Sequence, residues 1–160
     1  IPLDKGGRRG IKQFGKNTIP PTPFVKGEAS EIGRHEGLPL YTIGQRKGLK
    51  IGGIGPVYAA KMDYKKYILY VVKDSLDPLI YKDRLVANNV NWLAGSLPKL
   101  PLKCQAVIRY HHKPTECLIT KLNKNNFKIK FLEPQRAITP GQSVVFYQDE
   151  EVLGGGVIVK

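Results

Sequence analysis

A mainly β fold is predicted for this 160-residue chain, with short strands arranged in small barrels or sandwiches. Three observations predict it. Segments rich in Val, Ile, Tyr and Leu recur at regular spacing from Glu31 onward, turn signals separate them, and no helical periodicity extends beyond a turn or two.

Residues 1 to 30 carry Pro2, Pro20, Pro21 and Pro23 with several glycines and lysines, and read as a connecting arm in which "IKQFGK" is a single helical turn. Residues 31 to 95 form a central β-rich domain. Its strands are "VYAAK", "KYILYVVK" and "RLVANNVNWL", parted by the turns "MDYK" and "SLDP". A boundary follows at "AGSLPKLP", where glycine, serine and two prolines break the pattern, and residues 96 to 160 form a second β domain.

In that domain "LKCQAVIRY" alternates Leu102, Cys104, Ala106, Ile108 and Tyr110 with Lys103, Gln105, Val107 and Arg109, so one face is apolar and the other can be basic. "NFKIKFL" repeats the device, turning Phe127, Ile129 and Phe131 inward and Lys128 and Lys130 outward after the turn in "KLNKNNF". "SVVFYQ" and "EVLGGGVIV" complete the set across the tight acidic turn "DEE". The glycines of "LGGG" predict a bulge or a close backbone approach.

Lys and Arg number 26 against 13 Asp and Glu, a formal charge of +13. Such a surface attracts a polyanion, and the spread of basic residues along the chain predicts a broad nucleic-acid-binding face rather than a tail, the alternative being a solvated surface that only keeps the protein soluble. No apolar run reaches the roughly 18 residues of a membrane helix, and "IPLDKGGRRG" lacks a secretory apolar core. Cys104 and Cys117 are too few for a disulfide framework and fit a cytoplasmic location as small buried groups. The only methionine is Met62, so a longer parent protein is expected.

Three segments present candidate binding groups. "GQRKG" places Gln45, Arg46 and Lys47 between glycines that permit close backbone approach, which suits an RNA backbone as well as an ordinary basic turn. Its spacing fits neither a Walker A loop nor a dinucleotide fingerprint. "IRYHHKP" sets Arg109 beside Tyr110, a pairing suited to phosphates and exposed bases, although Tyr110 in phase with the apolar face is equally a core residue. "PQRAITPGQ" is a loop presenting Gln and Arg. Catalytic and metal chemistry have little support: His35 and Glu36 lack an activated nucleophile nearby, and adjacent His111 and His112 on a strand would point to opposite faces.

Together "GRHEGLPLYTIGQRKGLKIGG", "AVIRYHH", "PQRAITPGQSVVFY" and "VLGGGVI" closely resemble the tRNA-specific 2-thiouridylases, in the family's order and at about its spacing. "IKQFGKNTIPPTP" resembles the stretch after that family's second catalytic cysteine. The resemblance implies a small central β-rich domain followed by an antiparallel β-barrel, both helping to clasp tRNA. It implies a parent enzyme that uses ATP to activate the wobble uridine and a persulfide donor to thiolate it at C2. It also implies an N-terminal PP-loop catalytic domain and a sulfur-relay protein as partners. No "SGGxDS"-like segment is present and no cysteine precedes Cys104, so this chain alone is expected to be inactive, binding no cofactor or metal. The resemblance makes Arg109, Tyr110 and Gln142 tRNA contacts and Gln45, Arg46 and Lys47 candidates beside them. The alternative expectation is a barrel that braces the catalytic domain with only nonspecific RNA contact.

Overall fold

Ten strands, β1 to β10, and two short 3-10 turns are the regular elements of the described residues, which in the computed structural model are 11–14 (backbone only), 30–51, 53, 55–110 and 112–160. The chain divides into two compact units between Ile80 and Tyr81. The expected break near residue 95 is therefore a correction, and strand pairing gives the reason. Strand β5 (Tyr81–Trp92), which in sequence continues the first meander, takes both of its partners from the second half of the chain. "AGSLPKLP" is then a connection within one unit.

The first unit is built on a four-stranded sheet in the order β2-β1-β4-β3, formed by β1 (Ile11–Phe14), β2 (Glu31–Arg34), β3 (Tyr58–Asp63) and β4 (Ile68–Val72). Ile11–Phe14 is a strand and not the expected helical turn. It lies between β2, to which it is parallel, and β4, to which it is antiparallel, so hydrogen bonding on both sides overrides the local preference. The rest of the expected arm, residues 1–10 and 15–29, lies outside the described residues. Every residue of β4 is buried, as a strand with neighbours on both edges and both faces covered should be. Leu69 and Val71 join Leu38, Leu49, Val57 and Ala59 in the core of this unit.

The second unit is a closed six-stranded barrel in the order β10-β5-β8-β7-β6-β9. Its other strands are β6 (Leu102–Val107), β7 (Thr115–Lys121), β8 (Asn126–Arg136), β9 (Ser143–Gln148) and β10 (Glu151–Ile158), and all six adjacent pairs are antiparallel. The alternation read in the sequence is the inside-outside alternation of the wall. Cys104, Ala106, Phe127, Ile129, Phe131, Val144 and Phe146 are buried, while Lys103 and Lys130 are exposed. Strand β7 has the same pattern, with Cys117 and Ile119 inward, and was not anticipated from its sequence "TECLITK". Strand β10 carries two register shifts, between Val152 and Gly154 and between Gly155 and Val157, and its glycines run through them. This is the bulged, close approach that "LGGG" predicts.

Candidate nucleic-acid interface

Gln45 folds "GQRKG" upon itself. Its Oε1 accepts from the Thr42 N–H at 2.8 Å and its Nε2 donates to the Lys47 carbonyl at 2.8 Å, while its backbone carbonyl accepts from the Ala59 N–H at 2.9 Å. Both ends of the amide hold the loop, so Gln45 is a positioning residue. Arg46 and Lys47 are exposed at its tip. Arg46 also lines a shallow cavity of about 480 Å³ with Leu49, Lys50, Ile51 and Pro56, and Lys50 is bonded to Glu36 at 2.8 Å. The N–H groups of Thr42, Gly44 and Gln45, which an ATP cradle would turn toward phosphate, are instead given to Gln45 Oε1, the Ala59 carbonyl and the Thr42 carbonyl.

His35 is likewise structural. It is 2% exposed, its Nδ1 accepts from the Gly37 N–H at 3.1 Å, and its Nε2 lies 3.1 Å from the Tyr67 carbonyl, to which it donates as the neutral tautomer. With both nitrogens committed it has none left for proton transfer. Among the described residues no group of three or more His, Cys, Asp or Glu side chains is placed to hold a metal ion; His111 lies outside the described residues.

In the barrel, Arg109 and Gln142 fall in one corner. Strand β6 ends at Val107, and the chain bends so that Ile108 is still buried but Tyr110 is 89% exposed. The strand thus stops before the in-phase position that would have made Tyr110 a core residue. The half-buried Arg109 guanidinium donates through Nη2 to the Ala137 carbonyl at 3.3 Å, which ties this bend to the β8–β9 loop. Ala137 is buried with φ +59°, and its carbonyl also accepts from Thr139 Oγ1 at 3.0 Å. Gln142 closes the same loop through its backbone, donating to the Thr139 carbonyl at 3.3 Å and accepting from the Ile158 N–H at 2.8 Å. Thr115 Oγ1 and Gln135 Oε1 add a second tie at 3.4 Å.

Burial, and then the like charge of Arg136, bring the Arg109 guanidinium below its ordinary pKa. Two half-buried guanidinium groups thus share a corner. Arg136 was not among the expected contacts; its place in "PQRAITPGQ" was the available signal. The two segments that meet here, 107–115 and 134–142, contain no Asp or Glu. The barrel wall differs: Arg84 is held by Asp83 at 2.9 and 3.0 Å, and Lys103 and Lys130 share a cavity with Glu116 and Asp149. The corner gathers the half-buried Arg109 and Arg136 and the exposed Lys113 with the exposed Tyr110 ring, a surface able to pair with phosphate and to stack on an unpaired base.

Two family profiles match the chain. One, described as a tRNA methyl transferase PRC-barrel domain, covers residues 8–73, and the other, an aminomethyltransferase beta-barrel domain, covers residues 82–158. The join between them falls where the two compact units meet. Among curated relatives, the tRNA-specific 2-thiouridylase MnmA of Marinomonas sp. (strain MWYL1) is 41% identical over 95% of this chain and 41% of its own length. The proteins of the same name from Francisella philomiragia subsp. philomiragia and from Francisella tularensis subsp. novicida (strain U112) are each 42% identical over 96% of this chain and 45% of their own length. The chain spans less than half the length of these relatives. With two successive β units that match both profiles, and this identity along nearly its whole length, the chain matches the tRNA-specific 2-thiouridylases over the part of their length that it spans.

Proposed function

We propose that this chain is the tRNA-binding and substrate-positioning part of a tRNA 2-thiouridylase. The observation that carries the reading is the 89% exposed ring of Tyr110, next in the chain to Arg109, at the corner where Arg109 reaches the Ala137 carbonyl and feels the charge of Arg136. Tyr110 offers a stacking face to an unpaired base. Arg136 and the exposed Lys113 contact phosphates, and Arg109 holds the two loops in register through the Ala137 carbonyl. In the first unit, Arg46 and Lys47 supply a second basic contact on the loop that Gln45 shapes. Positioning of this kind accelerates a reaction by orienting the substrate.

The chemistry belongs to the rest of the parent enzyme. A PP-loop domain of the same polypeptide would use ATP to activate the wobble uridine, and a sulfur-relay protein would deliver persulfide sulfur there, in the cytoplasm. No residue of this chain is assigned a chemical step.

The test is tRNA affinity across a salt series, with a tRNA whose wobble base is uridine compared with an unrelated tRNA. Loss of one stacked base in Tyr110→Ala should weaken binding about tenfold or more. Lys113→Gln should lower the slope of log affinity against log salt by about one. If both variants bind like the parent chain, the corner is not the interface, and the barrel serves as a brace.

A further inference from the structure

Cys104 and Cys117 face each other directly across the β6–β7 hairpin, and their sulfurs are 3.8 Å apart. Directly opposed residues of antiparallel strands have Cα atoms about 4.5–5.5 Å apart. That lies within the roughly 4.4–6.8 Å a disulfide spans, so bonding needs side-chain rotation rather than movement of the strands. Both residues are nearly buried, at 7% and 6% exposure, yet both border a cavity of about 540 Å³ that Lys103 and Lys130 also line. Their slight exposure favours a small oxidant over a bulky one.

We propose that Cys104 and Cys117 are a peroxide-oxidisable dithiol, closing to an intramolecular disulfide that staples β6 to β7. This site is independent of the tRNA reading. Cys104 is the attacking sulfur. Either sulfur can donate across their 3.8 Å contact; with Cys104 accepting, that bond lowers the Cys104 pKa, while the bond, burial and the adjacent charge push the Cys117 pKa up. The Cys104 thiolate attacks hydrogen peroxide: an S–O bond forms, the O–O bond breaks, and hydroxide leaves and takes a proton. Cys104 is then a sulfenic acid, oxidised by two electrons. The Cys117 sulfur attacks it, forming the S–S bond and breaking the S–O bond, and the departing hydroxide carries away the Cys117 proton as water. Two thiols and one peroxide give one disulfide and two waters.

The experiment treats the folded 160-residue chain with hydrogen peroxide at neutral pH, quenches by alkylation, and reads mass, free thiols and cross-linked peptides. The expected product is lighter by two hydrogen atoms, has no free thiol, contains one peptide pair joining Cys104 to Cys117, and reverts with a dithiol reductant. Cys117→Ser should stop at a sulfenic acid on Cys104 that a carbon nucleophile traps, and Cys104→Ser should consume peroxide more slowly than Cys117→Ser. Should the serine variants misfold, Cys104→Ala and Cys117→Ala keep the apolar packing and give the same readout. Survival of both thiols, disulfides only between chains, or oxidation no faster than global unfolding would each overturn the proposal.

Discussion

Replacing Gly154 by alanine tests the closure of the barrel. A Cβ built on Gly154 would stand 2.2 Å from the Asn91 carbonyl oxygen and 3.1 Å from the Trp92 Cα, both backbone atoms of the paired strand β5, and the residue has φ +157°. Neither contact can be relieved by rotating a side chain. Overpacking of this sort costs about 1–3 kcal/mol, and the backbone conformation adds about 1–2 kcal/mol for a residue with a side chain. A loss of about 3 kcal/mol follows. Gly141 is the control. It holds the third position of the Thr139–Gln142 turn at φ +88°, with nothing within 4 Å of a built Cβ, so Gly141→Ala should lose only the conformational part, about 1 kcal/mol. The reporter is Trp92, the chain's single tryptophan, stacked on Phe146 at 5.6 Å and edge-on to Phe127 at 5.8 Å inside the barrel. In urea, with a slope of about 1 kcal/mol/M for a unit of this size, the midpoint of its fluorescence transition should fall by about 3 M for Gly154→Ala and about 1 M for Gly141→Ala. Equal shifts for the two variants would refute the pairing of β10 with β5 at this point.

In the first unit, His35→Ala removes a buried ring that bonds Gly37 and Tyr67, and should destabilise the unit by about 2–3 kcal/mol, read as faster amide exchange at Gly37. Gln45→Ala leaves the Thr42 N–H without the side-chain acceptor it now has and should cost about 1 kcal/mol, with exchange accelerated at Thr42; Gln45→Glu keeps that acceptor and should be milder. Tyr70 has a pKa raised by burial and then by the charge of Asp63. Its neutral form is the one favoured in the folded state. The stabilisation is therefore complete below the unfolded value of about 10 and is lost as pH rises through the higher folded value; a phenolate absorbance titration should show a late-ionising tyrosine that Tyr70→Phe removes.

Strands whose inner residues alternate were legible from sequence, because the barrel wall imposes a period of two wherever one face is packed and the other wet. Phe127, Ile129 and Phe131 show it most directly. The division of the chain was not legible. The residues of β5 state that they form a strand but not that their partners are Lys128 and Val157, far along the sequence. The same holds for β1, whose four residues become a strand through β2 and β4. At the candidate interface, residue types were readable and roles were not. Gln45 looks like a ligand-binding amide until its two internal hydrogen bonds are seen. Arg109 looks like a surface cation although it also ties two loops together, and Tyr110 owes its exposure to a strand that stops at Val107.

Because the last strand of the barrel, β10, pairs with the first, β5, the unit has no exposed edges only when Glu151–Ile158 is in place. A growing polypeptide must therefore carry β5 and β9 with open backbone edges until β10 emerges. These are the surfaces through which nascent β proteins join one another. A chain lacking β10 should accordingly accumulate in aggregates rather than as a looser barrel, and sedimentation of the newly made product distinguishes the two fates.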